Sequence, residues 1–344
     1  MSSPIGSYKP TPSTSQGRPR EKPTYGRCQE LWFEDGNVIF QAQRTFFRVH
    51  RGVLSANSSV FRDMFSFPQP ATVNIVPEVE LHDTAKEVEH FFKTIFIAGY
   101  YDKRCKSDFE VVAAVLRLST KYDVPSYRQR AIRQLALIYP TTLDGWDARN
   151  RRSDLYSGFI EQAAAVVGLA RETHVRALIP SAMYTCCEMG TGHILKAKAD
   201  PAKSILGLSS YDRRCCLLGR QKLVTAWRSE VFSRRCLTPD QLDFFAWFEG
   251  PKHEMCHAAR LKWLAREDVW KMAFGTEWCN PLQTLWPQTG LEMCAACDAA
   301  FIANLEHIRE QIWEKLPSHF GFSDWTTVRE ELKECLQEED SRDS

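Results

Sequence analysis

The sequence predicts an α+β fold: a small sheet with a helical cluster in the N-terminal third, followed by an all-α C-terminal domain. Two observations carry this. Period-two and helical patterns alternate from about Cys28 to Pro140, whereas from Thr141 onward only helical periodicity is found. Nine of the ten tryptophans and ten of the twelve cysteines lie in the second part, which implies that it has a dense core of its own. The predicted division is a disordered tail at 1–27, a mixed domain at 28–139, a helical domain at 140–338 and a frayed tail at 339–344. No internal repeat is found.

The elements follow in order. Residues up to about 26 are rich in Ser, Pro, Thr, Gly and charge, a composition that cannot offset the entropy of ordering. In GNVIFQAQRTFFRV, Val38, Phe40 and Ala42 alternate to one face, Gln43 and Arg44 form a short turn, and Phe47 and Val49 alternate again, which predicts a hairpin with its first strand at Val38. Leu54, Phe61 and Phe65 then recur at helical spacing, with Asn57 or Ser58 placed to cap a second short helix. A strand in TVNIVPEVEL precedes a helix that puts Val88, Phe91, Phe92 and Ile95 on one face. Another helix is predicted from Asp108 to Tyr122, and Pro125 starts the next.

These segments, VIF with FFRVHRGVLSANSSVFRDMF, VELHDTAKEVEHFFKTIFIAGYY and VVAAVLRLSTKYDVPSYRQRAIRQL, resemble the BTB (POZ) domain in order and spacing over about Gly36 to Leu135. The last segment, YPTTLDGWDAR and the late IWEKLPSHFGFSDW are similar to the large fungal group with a long helical C-terminal region. The resemblance implies a BTB/POZ fold that pairs through helices and an exchanged or shared strand and has no catalytic residues. The expected function is a protein–protein interaction module or scaffold, a homo- or hetero-dimer through this domain, with a further partner held by the helical region. The apolar Leu31, Trp32 and Phe33, ahead of the first predicted strand, are expected at the dimer interface with Asn37 and Arg51. Many members have Asp where this chain has Asn37, so the Asp–Arg pair of a co-repressor-binding pocket is not expected. Val76-Pro77-Glu78 fits the hydrophobic-x-Glu element of cullin-binding members loosely, which makes a cullin-type ubiquitin-ligase adaptor the alternative function. His50 is read as structural, an imidazole bonded to nearby backbone at a strand-to-helix junction.

Composition narrows the partners. With 44 Lys and Arg against 43 acidic residues, the formal charge of +1 supplies no global field for nucleic acid or anionic lipid. The runs Arg149/Arg151/Arg152, Arg213/Arg214 and Arg234/Arg235 read as solvated helix ends or loops. No apolar run reaches the roughly 20 residues of a membrane helix, and the N-terminus lacks the apolar core of a secretory signal. An intracellular protein, in cytoplasm or nucleus, with free thiols is expected.

Two motifs bear chemistry. HEMCH, residues 253 to 257, fits the zinc-peptidase pattern His-Glu-x-x-His. It follows Gly250-Pro251 and so falls in the first turn of its helix. Residue 260 is Arg where an extended zinc motif needs Gly, and Glu267 and Glu277 stand in no partner motif. A zinc metallohydrolase is therefore only a distant alternative, and neither enzyme activity nor a cofactor is expected. Cys294 and Cys297 form a C-x-x-C, and Cys256, His257 and Cys279 could complete a structural zinc set. However, Leu291, Cys294, Cys297, Phe301, Leu305, Ile308 and Ile312 step by three or four, so the cysteines read as core residues of one helical stripe.

Overall fold

The computed structural model describes residues 25–67, 76–101, 108–151, 158, 160–197, 207–231, 251–275, 279–283 and 292–337. Four strands, β1 (Gly26–Trp32), β2 (Val38–Ala42), β3 (Thr45–Val49) and β4 (Glu78–Leu81), form one sheet in the order β1-β3-β2-β4. The β2–β3 hairpin closes through Gln43 and Arg44, and Gln43 takes the left-handed φ of 54° that a two-residue loop needs to match strand twist. Both β1–β3 and β2–β4 are parallel pairs. The first strand is therefore β1, not the predicted Val38 segment, and it starts inside the stretch assigned to the tail. The predicted strand in TVNIVPEVEL is described only as β4, since residues 68–75 lie outside the described residues.

Between β3 and β4 the chain forms α1 (Arg51–Asn57) and α2 (Ser59–Ser66). Of the two candidate caps it is Ser58 that acts: its Oγ accepts from the Phe61 N–H at 3.0 Å and donates to the Tyr122 carbonyl. Helix α3 (Ala85–Phe96) buries Val88, Phe91 and Phe92 against the sheet, and Phe40, Phe47, Phe61 and Tyr122 complete an aromatic core in which Phe61 stacks on Tyr122 at 4.6 Å.

Helices α4 (Phe109–Lys121) and α5 (Pro125–Ile138) correct the predicted division into separate cores. Leu118 and Tyr122 face the aromatic core. Val112, Val115 and Leu116, with Ala131, Ile132, Leu135 and Ile138 of α5, belong to one continuous core with the helical region. The packing is continuous across the expected boundary at 139/140.

The helical region continues through α6 (Leu143–Asn150), α7 (Ala163–Glu172), a short 3-10 turn (Arg176–Leu178), α8 (Ile179–Glu188), α9 (Thr191–Lys196) and α10 (Ser210–Val231). Helix α8 is buried on every side from Ile179 to Cys187, as a central helix with no polar stripe must be. Then come α11 (Pro251–Leu264), α12 (Glu267–Phe274), α13 (Ala295–Glu314), α14 (Leu316–His319) and α15 (Trp325–Gln337). Gly219 of α10 is where Phe320, just after α14, rests: a Cβ there would lie 2.4 Å from a Phe320 ring carbon. No helix among the described residues is long and apolar enough to cross a membrane.

Candidate interaction face and thiol cluster

Strand β1 is the outer strand of the described sheet, and Arg27, Gln29 and Glu30 on it are exposed. Leu31, expected at the interface, has no surface to offer: it is fully buried in the domain's own core. Trp32 and Phe33 remain half-buried. Arg27 lies over the Trp32 ring with its guanidinium carbon at 4.4 Å, and the Phe33 ring sits 5.3 Å from His50 and 5.7 Å from Phe96. The turn that follows depends on Gly36, where a Cβ would meet Arg48 Cγ at 2.9 Å and the Phe33 carbonyl at 3.0 Å.

Asn37 and Arg51 do meet, through local structure and not through paired charges. The Asn37 side-chain oxygen accepts from the Arg51 backbone N–H at 2.8 Å and so satisfies a free amide at the start of α1. The Arg51 guanidinium donates to the Phe65 carbonyl at 3.0 Å and lies 5.2 Å from the Phe65 ring. His50 is not bonded to backbone as expected; its Nε2 is 3.5 Å from an Asp35 carboxylate oxygen and its ring rests on Phe33. Behind the face, Lys93 of α3 is nearly buried and pairs with Glu30 of β1 and, at 2.8 Å, with Glu89. Burial alone would lower its pKa, but the two carboxylates outweigh this and hold it above the usual lysine range.

Val76-Pro77-Glu78 is taken up by the sheet. The Ile39 N–H donates to the Pro77 carbonyl at 2.8 Å, and Glu78 pairs with Ile39 as the first residue of β4. HEMCH occupies the first two turns of α11, and the side chains of His253, Glu254 and His257 lie outside the described residues.

The cysteines separate into distinct groups. Cys186, Cys187 and Cys216 are fully buried in the helical core, while Cys215 is half-buried. Cys279 is buried by the segment that Tyr184 holds, whose hydroxyl accepts from the Leu282 N–H at 3.1 Å and contacts Asn280; burial pushes the Cys279 thiol up to about 12. Its sulfur is not among those that converge, so Cys279 does not join the candidate zinc set. Cys256, Cys294 and Cys297 do converge, their Sγ atoms all within 4.8 Å of one another. The stripe reading is corrected here: Cys294 is the N-cap of α13 and only half-buried, while Cys297, Phe301, Leu305, Ile308 and Ile312 are buried within the helix. Backbone N–H groups of the first turn, that of Cys297 foremost, pull the Cys294 thiol below its usual range, while burial pushes Cys297 up to about 12.

One charged pair in the helical core overturns the reading of Arg149 as part of a solvated run. Arg149, on α6, is buried, lies 3.9 Å from the Trp146 ring centre and donates to Thr185 at 3.1 Å; Glu188 of α8 is 4.0 Å away. Burial raises the Glu188 carboxyl to about 7, with Arg149 opposing. A carboxyl that is easier to protonate in the folded chain adds stability that is complete below pH 4.5 and is lost as pH rises through about 7. The full shift would be worth roughly 3 kcal/mol; with the Glu188 side chain 21 % exposed, about 1–2 kcal/mol is expected. In paired melts at pH 5 and pH 8, Glu188→Gln should gain on wild type at the higher pH and match it at the lower. A stability difference independent of pH would refute the assignment.

Residues 31–136 match the family model described as the BTB/POZ domain. No curated protein and no solved structure matches the chain. The chain therefore carries an N-terminal BTB/POZ domain, a protein–protein interaction module of small sheet and helices, and continues into a mostly helical C-terminal region.

Proposed function

We propose that this protein is a non-enzymatic scaffold whose BTB domain pairs with a second BTB domain and whose helical region recognises a further protein. The observation that carries the reading is the outer edge of β1, to which no described strand pairs, with half-buried Trp32 and Phe33 at its end. An edge of this kind offers unpaired backbone donors and acceptors to a partner strand, and the adjacent rings supply apolar area. Asn37, which accepts from the Arg51 N–H at the start of α1, and Arg51 are assigned to the same interface. In the helical region, Leu195, Leu217 and Leu218 floor a shallow groove rimmed by Arg213 and Arg214, which suits an acidic amphipathic segment. The cullin-adaptor alternative draws less support, since Pro77 and Glu78 are engaged in the sheet.

The full chain should sediment as a dimer at micromolar concentration, and Trp32→Asp should shift it to monomer without unfolding it, because Trp32 is not a core side chain. Wild type that stays monomeric to high micromolar concentration would remove self-association and leave pairing with a different BTB chain as the remaining form.

A further inference from the structure

The convergence of three thiols from two separate segments asks for an explanation that core packing does not give. In the helical core Cys216 contacts Cys186 and Cys187, whereas Cys256, Cys294 and Cys297 bring all three sulfurs within 4.8 Å of one another. Among the described residues no other three His, Cys, Asp or Glu side chains come together in this way. We propose that these three cysteines form a structural site for one zinc ion that fastens α11 to the start of α13.

Zinc bound tetrahedrally at about 2.3 Å from each thiolate places the sulfurs roughly 3.8 Å apart, so the present limit of 4.8 Å needs only a small inward adjustment. The local backbone suits thiolate ligands. Cys294 caps α13 and Cys297 sits in its first turn, the C-x-x-C arrangement in which free amides point at sulfur. The Cys294 N–H already donates to the Cys256 sulfur at 3.3 Å, an outer contact of the kind that orients metal ligands. Cys256 and Cys297 are 2 % and 3 % exposed, while half-buried Cys294 leaves an approach from solvent. Water can complete the tetrahedron. Three thiolates and Zn²⁺ leave one negative charge, and Arg260, one turn after Cys256, is a buried cation on that helix. A disulfide accounts for the cluster less well, since it would join two sulfurs and leave the third without a purpose.

The test is metal analysis of the full chain expressed with zinc and purified without chelator. About one zinc per chain is expected, with cobalt replacement giving the intense near-ultraviolet thiolate band and the red ligand-field bands of a tetrahedral site. Cys294→Ser keeps a good N-cap residue while removing a ligand, and should fold yet lose zinc about tenfold or more. Cys279→Ser should retain it. A folded wild-type chain without zinc that gives no cobalt–thiolate band would overturn the site, as would full zinc retention by Cys294→Ser or zinc loss from folded Cys279→Ser. Should Cys294→Ser fail to fold, the cobalt band of wild type still decides, since its intensity reports three thiolates or fewer.

Discussion

Leu31→Asp should abolish cooperative folding of the BTB domain. Leu31 is fully buried beside the aromatic core, and truncating such a leucine to alanine alone costs about 3–5 kcal/mol. An unpaired carboxylate in that place adds several kcal/mol more. Together these approach the whole stability of a typical domain, about 5–15 kcal/mol. Limited proteolysis and circular dichroism of the full chain should show the N-terminal region melted in Leu31→Asp and intact in Trp32→Asp. The contrast between neighbouring positions also separates a failed fold from a failed interface. If Leu31→Asp stayed folded and merely became monomeric, the packing of Leu31 inside its own domain would be wrong.

The second large effect lies at the other end of the chain. Trp325→Ala should lower stability by about 3–5 kcal/mol. Trp325 is 1 % exposed, its ring stacks on Trp313 at 4.8 Å with only 13° between planes, and its indole N–H donates to the Trp313 carbonyl at 2.6 Å. Loss of the ring opens a cavity and removes the indole donor from the Trp313 carbonyl. Trp325→Phe retains the stack and gives up the hydrogen bond, so about 1–2 kcal/mol is expected. The ratio of the two losses in denaturant titrations checks the geometry. Equal losses would mean that the stack contributes nothing.

What could be read in advance, and what could not, follows from the range of the interactions. Alternation at Phe40 and Phe47 and helical spacing at Val88, Phe91 and Phe92 are local signals, and those elements stand where they were expected. Strand β1 was missed because Arg27, Gln29 and Glu30 face solvent and an outer strand with one buried residue carries no alternation to detect. The stripe through Cys294 and Cys297 had the right period, but period says nothing about where a helix begins, and the cap at Cys294 turns a supposed core residue into a half-exposed one. Cys256 approaching Cys294, Cys279 standing apart, and Glu188 facing Arg149 are meetings between distant segments. No local pattern encodes them.

The last helix, α15, returns to the BTB domain. Arg128 of α5 donates to the Cys335 carbonyl at 3.5 Å, and within the helical region Arg329 reaches the Thr141 carbonyl at 3.5 Å and Arg176 stands 3.7 Å from Glu331. During synthesis these partners leave the ribosome far apart in time. At about 5–20 residues per second, the 207 residues between Arg128 and Cys335 represent a delay of roughly 10–40 s. The sheet and α1 to α3 can collapse at once on local contacts and α4 and α5 meet α6 and α7 soon after, but the face of α5 that packs on α15 waits for its cover and stays open meanwhile. The nascent chain therefore spends that interval as a half-clad domain, the state on which chaperones act and from which aggregation starts.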